Sequence, residues 1–423
     1  MEDQKTQEGS TAYEEELDQV VLDIIRQVKK YGDTALYDYT EKFDGVKLND
    51  LIVSEAEFEA ARQKVEPAFL DALRQAKENI TAFHQGQIEQ SWFMNQQGGV
   101  TVGQKVTPLE KVGIYIPGGK AAYPSTVLMN VIPATLAGVE RIAITTPPQA
   151  DGMVNPYVLT AAQETGVDVV YKVGGAQAIA ALAHGTETIE KVVKIVGPGN
   201  AFVARAKKWV FGEVAIDMIA GPSEICVVAD ETAPPKFIAA DLLSQAEHDE
   251  QASAICITTS KRLAEEVKVE VDKQTATLTR KYIIERSMDK NGNIIIVDSL
   301  DEAFSLVNKI APEHLQLMIE NPMEQINFVK NAGAIFIGNY SPESLGDYFA
   351  GPNHTLPTSG TAAFASPLGV YDFMKKSSII HYSHDALRKA GDQIITLANV
   401  EGLTAHANAI KVRKDDPYAQ NDS

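Results

Sequence analysis

Apolar spacing marks the first element. Over Val20–Tyr39, Val21, Ile24, Ile25 and Val28 share one face at helical spacing, which predicts an amphipathic helix. Phe69, Leu73, Ala76, Ile80 and Phe83 follow at steps of four, three, four and three among charged neighbours, and predict a second. From Lys111 the pattern changes to short β-branched runs separated by helical stretches. Strands are expected at Val112–Ile116, Arg141–Thr145, Val167–Val173 and Val192–Val196, with helices at Thr126–Leu136, Pro156–Thr165 and Ala178–Ala183. A second alternating set has strands at Ile225–Ala229, Ala252–Thr258, Asn293–Val297, Leu315–Ile319 and Ala334–Ile337. Its helices are expected at Pro235–His248, Lys261–Leu278, Leu300–Asn308 and Met323–Asn331. This is the alternation of βαβ units, so two α/β parallel sheets are expected. Gly351–Tyr371 has no charge and is rich in Gly, Pro, Ser and Thr; so long a loop inside a domain is usually functional. The chain is helical again after Asp385. Residues 1 to about 15 and 414 to 423 are polar and aperiodic and are expected to fray.

A chain of 423 residues, 44% hydrophobic and 22% charged, is globular and too long for one core. Its 38 basic against 57 acidic residues give a net charge of −19, which excludes a protein built to bind nucleic-acid backbones. A nucleotide cofactor, which needs only a local site, is not excluded. The two cysteines exclude a disulfide framework and a Cys-ligated zinc. Cys226 and Cys256 both sit in apolar strand runs, where a thiol behaves as a small hydrophobe. The first residues are acidic and polar, unlike a signal peptide. The longest uncharged apolar stretch, Ala121–Val139, is interrupted by Pro124, Asn130 and Pro133 and makes a poor membrane span. A cytoplasmic protein without membrane association is expected.

Three glycine turns end predicted strands: Tyr115-Ile-Pro-Gly-Gly119, Gly174-Gly-Ala-Gln177 and Gly197-Pro-Gly-Asn200. Such turns let backbone N–H groups approach a phosphate at a helix start. No dinucleotide fingerprint is met, because Phe202 stands where the third glycine belongs, and no Walker A motif, because Ala121 follows Lys120. The same glycines serve equally as ordinary strand-to-helix turns.

The eight histidines divide into two groups. His84 on its amphipathic helix reads as a surface residue, His184 as a helix C-terminal residue, and His381 with His384 as part of a polar surface turn. The others keep more informative company. Gln245 and His248 lie three apart on one helix face and could reach one ion. Ala311-Pro-Glu-His314 places a carboxyl and an imidazole together before a strand. Asp347 and Asn353-His354 flank the start of the uncharged loop, and Glu401 and His406 lie near the C-terminus. Singly, each has a plain alternative: a helix cap or a solvated turn. No HExxH and no G-x-S-x-G is present.

Taken together and in order, these segments are more specific. The chain resembles the histidinol dehydrogenases from Phe43-Asp-Gly-Val46 to His406. The resemblance is carried by Gly113-Ile-Tyr-Ile-Pro-Gly-Gly119, Val173-Gly-Gly-Ala-Gln-Ala-Ile179, Gly197-Pro-Gly-Asn-Ala-Phe202 and Ala220-Gly-Pro-Ser-Glu224. It continues in Leu242-Leu-Ser-Gln-Ala-Glu-His248, Ala311-Pro-Glu-His314, Leu345-Gly-Asp347 and Pro352-Asn-His-Thr-Leu-Pro-Thr358, with Glu401 and His406. The resemblance implies oxidation of L-histidinol to L-histidine by two NAD⁺ through a retained aldehyde, the last step of histidine biosynthesis. It implies one zinc per subunit on Gln245, His248, Asp347 and His406, gripping the substrate's imidazole and amine. Substrate contacts fall on Ser223, Gln245, His248, His314, Asp347, His354, Glu401 and His406. Tyr115, Gln177 and Asn200 match the family's NAD-contacting positions. Glu401 and His406 are implied to reach the neighbouring subunit's site in an obligate homodimer.

Chemistry then distributes the catalytic roles. Hydride leaves a carbinol carbon only as the hydroxyl proton is taken, and the neutral imidazole of His314 suits that base. The second oxidation needs a hydrate, for which Glu313 is the expected base. A cysteine route through a thiohemiacetal is disfavoured by the expected burial of both thiols. The expected layout is an N-terminal helical arm (1–30), a metal-bearing α/β domain (31–110 with 223–370), an α/β NAD-binding domain (111–222) and a small helical C-terminal domain exchanged across the dimer (371–423). Both α/β domains are expected to be Rossmann-like but incomplete. The alternatives are a related zinc and NAD dehydrogenase of another small polar alcohol, and a catalytically silent dimer.

Overall fold

The computed structural model describes residues 2–118 and 122–415, with side chains from residue 14 onward. Gly119 of the first glycine turn and the terminal residues 416–423 lie outside the described residues. Two compact units divide the chain: Met1–Gln87 with Leu109–Phe373, and Ile88–Pro108 with Met374–Ser423.

The strands in chain order are β1 (Trp92–Gln96), β2 (Val100–Pro108), β3 (Lys111–Tyr115), β4 (Arg141–Thr145), β5 (Val169–Tyr171), β6 (Lys194–Val196) and β7 (Ala215–Ile216). They continue as β8 (Glu224–Ala229), β9 (Ser253–Thr258), β10 (Gly292–Ile296), β11 (His314–Met318), β12 (Ala334–Ile337) and β13 (Met374–Tyr382). The first unit holds two five-stranded sheets, ordered β5-β4-β3-β6-β7 and β10-β9-β8-β11-β12. Every pairing in both is parallel. Strand order therefore reverses beside β3/β6 in one sheet and beside β8/β11 in the other. In the first sheet the reversal opens a crevice at the strands' carboxyl ends.

Both faces of the second sheet are covered, as parallel pairing requires. Ile225, Val227 and Ala229 of β8 pack with Ile238, Leu242, Leu263 and Val267 on one side. Cys226 and Val228 pack with Phe304, Val307, Leu315 and Leu317 on the other. Both thiols are thus core residues, and burial pushes Cys256 up to about 12 and Cys226 higher still. The first sheet packs against the N-terminal helix: Val21, Ile24, Ile25 and Val28 are buried with Ile179, Leu182 and Ile195. Each such burial contributes about 1.5–3 kcal/mol.

Several expectations are corrected. The first helix spans Glu2–Tyr31 rather than fraying to residue 15, and a second runs Asp33–Asp44. Gly32 breaks them with φ +53, where a Cβ would meet the Glu187 carboxyl, which accepts the Asp33 N–H at 2.8 Å. Residues 323–331 form only the short helix Pro322–Gln325 and the 3₁₀ turn Ile326–Phe328. A helix at Lys281–Asn291 was not expected. In the second unit, β1 and β13 both pair antiparallel with β2. Residues 88–108 therefore belong with the C-terminal segment, which is a strand followed by two helices rather than purely helical. β1 is exposed along its length, so it carries no buried alternation to betray it. Among the described residues no helix is long and apolar enough to cross a membrane.

Candidate active site

The N-terminal edge of β8 and β11 carries the densest polar chemistry. Ala311, in the left-handed region at φ 50, ends the helix Leu300–Ile310, and Pro312 prevents its continuation. The chain then enters β11 at His314, in parallel register with Ile225. His314 is buried, and its Nδ1 lies 2.9 Å from the Glu224 carbonyl oxygen. A carbonyl only accepts, so Nδ1 bears the proton and Nε2 keeps its lone pair. Nε2 stands 3.8 Å from Asp347 Oδ1. Burial pushes the imidazole down to about 4 against the pull of the Glu224 carbonyl, so the ring is neutral at pH 7.

Glu313 is also buried, and its Oε2 accepts the Glu224 N–H at 2.9 Å. Burial first, then the facing charges of Asp347 and Glu224, hold its carboxyl well above the ordinary range despite that hydrogen bond. Asp347 is pushed up to about 7 by burial. His354 donates Nδ1–H to the Asp347 carbonyl at 3.0 Å, and its Nε2 lies 3.3 Å from Thr126 Oγ1. Burial lowers it to about 4. His314, Asp347 and His354 open together, with Phe336, Leu356 and Tyr371, on a cavity of about 590 Å³.

Gln245 is buried on the helix Pro235–Ala246, and His248 follows one turn later, donating its N–H to the Gln245 carbonyl at 3.2 Å. His248, Glu343 and Asp347 each bring one ligand atom into a group whose members lie within 4.8 Å of one another. The sequence reading missed Glu343. It lies on the helix Glu343–Tyr348, four residues before Asp347 and therefore on the same face, a spacing that could have found it. Burial, then Asp347, Glu313 and Asp241, raise its carboxyl well above the ordinary range. Asp241 is itself pushed up to about 6 by burial, against a hydrogen bond from Gln316. Acidic groups so enclosed are costly unless a cation joins them. One imidazole and several carboxyl oxygens make a donor set that suits a borderline divalent ion such as zinc.

His84 is a correction. It is fully buried, with Nδ1 2.9 Å from the Ile80 carbonyl and Nε2 3.4 Å from Asn353 Nδ2. Asn353 in turn donates to the Met129 carbonyl at 2.6 Å and accepts the Thr355 N–H at 2.9 Å. The uncharged loop is thereby fixed on both sides of His354.

A second crevice of about 430 Å³ lies at the carboxyl ends of β3 and β6, at the first sheet's strand reversal. Tyr115, Gln177 and Asn200 all line it, with Asp44, Phe43 and Phe202. Tyr115 Oη accepts the Gly175 N–H at 3.1 Å, and burial keeps the phenol neutral by raising it to about 12. Asn200 Oδ1 caps the helix Ala201–Val210 by accepting the Val203 N–H at 3.1 Å. A Cβ at Gly197, φ +108, would lie 2.1 Å from the Tyr115 carbonyl, so glycine is required where the turns cross. Lys207 and Asp217, both buried, form an ion pair beneath this turn. Lys207 donates to the Gly197 carbonyl at 2.9 Å and Asp217 accepts the Gly197 N–H at 2.8 Å. Two acceptors lining this crevice, Asp44 Oδ2 and Gln177 Oε1, are buried with no hydrogen-bond partner among the described residues.

Ser223 lies directly before β8, its carbonyl accepting the Ser253 N–H at 3.0 Å. Glu401 caps the helix His384–Val400, and His406 lies on the helix Thr404–Lys414; both side chains are exposed, in the second unit.

An enzyme is the class that this arrangement defines. Buried imidazoles that shed protons beside buried carboxyls that hold them have no structural use, and they face a cavity of small-molecule size. The chain belongs to the histidinol dehydrogenase family, a family of oxidoreductases, whose model matches residues 7–414. It is 58% identical over 416 residues to a histidinol dehydrogenase of Oceanobacillus iheyensis, covering 98% of this chain and 97% of that one. It is 59% identical over 396 residues to one from Listeria monocytogenes serotype 4b, covering 94% and 92%. The crystal structure of histidinol dehydrogenase from Elizabethkingia anophelis superposes with a TM-score of 0.91 at 42% identity, covering 94% of this chain and 92% of that one.

Proposed function

We propose that this chain oxidises L-histidinol to L-histidine through bound L-histidinal, reducing two NAD⁺, as the last step of histidine biosynthesis in the cytoplasm. The observation that carries the reading is His314 opening with Asp347 and His354 on one cavity, with the buried Glu313 carboxyl 3.7 Å from its ring. The family membership supplies the substrate.

In the first oxidation His314 Nε2 takes the carbinol hydroxyl proton while hydride passes to NAD⁺, giving the aldehyde, NADH and a proton. Fixing Nδ1–H on the Glu224 carbonyl keeps that lone pair directed at the cavity. Water then adds to the aldehyde, with Glu313 as the proton acceptor. Burial raises this carboxyl above its ordinary range, and its ionised form is then a stronger base than a surface carboxylate. The hydrate yields a second hydride to a second NAD⁺, leaving the carboxylate of histidine. His354 and Ser223 orient the substrate.

Gln245, His248 and Asp347, with His406, would hold one zinc ion. Bound there, zinc supplies a Lewis-acidic anchor for the substrate's imidazole and amine. The 111–222 segment is the NAD-binding domain in this reading, with Tyr115, Gln177 and Asn200 toward the cofactor. Glu401 and His406 complete a partner subunit's site in a homodimer. In support, both are exposed, and Leu397, Val400 and Leu403 beside them expose apolar surface that a partner would cover.

The test is NADH formation from L-histidinol and from other small polar alcohols, before and after chelation. Activity confined to histidinol, lost on chelation and restored by zinc, supports the reading. Equal rates on another alcohol would move the substrate assignment. A test of site sharing mixes inactive H314N and H406N subunits: recovered activity supports it, and none counts against it.

A further inference from the structure

The second crevice holds a residue with no structural reason to be charged. Asp44 ends the helix Asp33–Asp44, where the macrodipole disfavours an anion. Its Oδ2 is buried without a hydrogen-bond partner among the described residues, an arrangement that costs stability. Burial holds its carboxyl up at about 6. Among the described residues lining the crevice no lysine or arginine is present to pair with it. The walls beside it are the flat apolar faces of Phe43, Pro117, Pro147 and Phe202, which suit a planar heterocycle.

A buried carboxyl acceptor in the wall of a nucleotide-type crevice, with the Gln177 amide oxygen likewise without a partner among the described residues, calls for a ligand that brings hydrogen-bond donors. A ribose diol does so; a ribose carrying a 2′-phosphate brings only further negative charge. We infer that Asp44 accepts the hydrogens of a ribose diol and thereby makes the enzyme selective for NAD⁺ over NADP⁺. The inference rests on the reading of this crevice as the nicotinamide-dinucleotide site. Asp44 discriminates twice: the diol donates to a charged acceptor, and the phosphate meets a carboxylate of like charge that no described lining residue neutralises.

The test compares kcat/KM for NAD⁺ and NADP⁺ in the zinc-loaded wild type, D44N and D44A, with F202A on the same crevice as a control for its occupancy. Binding of ADP-ribose and of 2′-phospho-ADP-ribose is measured by calorimetry on the same proteins. The expected wild type strongly prefers NAD⁺ and ADP-ribose. In D44N and D44A the NAD⁺/NADP⁺ ratio falls by about 10- to 100-fold, the weight of a hydrogen bond to a charged group. Tm stays the same or rises, because an unpaired buried charge is removed. Ratios within twofold of wild type in both Asp44 variants, while F202A raises KM for NAD⁺, overturn the role of Asp44 alone. Unchanged NAD⁺ constants in F202A and in both Asp44 variants overturn the crevice reading with it. A Tm loss with an unchanged ratio makes Asp44 structural and also overturns the inference.

Discussion

Replacing His314 by Asn removes the cavity-facing lone pair while leaving a side-chain N–H able to donate to the Glu224 carbonyl, now 2.9 Å from Nδ1. Burial pushes the ring down to about 4, so at pH 7 wild type holds His314 in its base form. Nothing is lost to mis-protonation, and the variant's deficit measures the base itself. A positioned general base is worth about 10²–10⁴ in rate. At about 1.4 kcal/mol per tenfold, that is about 3–5 kcal/mol of transition-state stabilisation. The assay is steady-state NADH formation from saturating L-histidinol, with zinc content and Tm measured on the same samples. Loss should appear in kcat, with KM for NAD⁺ unaffected, because the crevice proposed for NAD⁺ lies at the other sheet. A fall below threefold in a folded, zinc-loaded variant would refute the assignment of His314 as base.

Four further outcomes are expected. E313Q should slow oxidation of L-histidinal more than that of L-histidinol, since only the aldehyde step needs an activated water; equal losses on both substrates contradict this. H248N should lose bound zinc by elemental analysis, and unchanged metal content rejects the ligand. K207M strands Asp217 beneath the Gly197 turn and should cost about 3–5 kcal/mol in denaturant unfolding, as breaking a buried pair does, and raise KM for NAD⁺. A loss under 1 kcal/mol would show that the Gly197 and Met218 N–H groups suffice for Asp217. His354 has a folded pKa of about 4 against about 6.5 when unfolded, so its contribution is present above pH 6.5 and is lost as pH falls through 4. Metal-free H354N should therefore gain about 2 kcal/mol on metal-free wild type between pH 7 and 4.5; a constant gap contradicts the lowered pKa.

The two parallel sheets were legible because nine short β-branched runs alternate with helical stretches, and buried strands leave that mark in any sequence. Strand boundaries shifted by at most two residues: β4 and β12 fell as expected, whereas β5 is only Val169–Tyr171. The β1–β2–β13 sheet was hidden because β1 and β13 are largely exposed and mix Trp, Phe and Ile with Lys, Ser and His, while β2 between them is half-buried along its length with no buried alternation. His84 misled because its helix is amphipathic. Burial of His84 depends on Asn353, 269 positions away, which no local pattern encodes. The site was legible as separate motifs, and the family resemblance ordered them into one. Glu343 and Asp44 escaped because each is one acidic residue among 57, and only enclosure sets them apart. Asp347 and Glu313 show the same limit from the other side. Their positions were readable, but that burial raises both carboxyls side by side was not.

The most direct measurement is the number of NADH released per L-histidinol consumed by zinc-loaded enzyme with histidinol limiting. Two NADH with histidine as the product, and none after chelation, is the predicted result. One NADH with free aldehyde would contradict the second oxidation and the role of Glu313, and no NADH would contradict the proposed function itself.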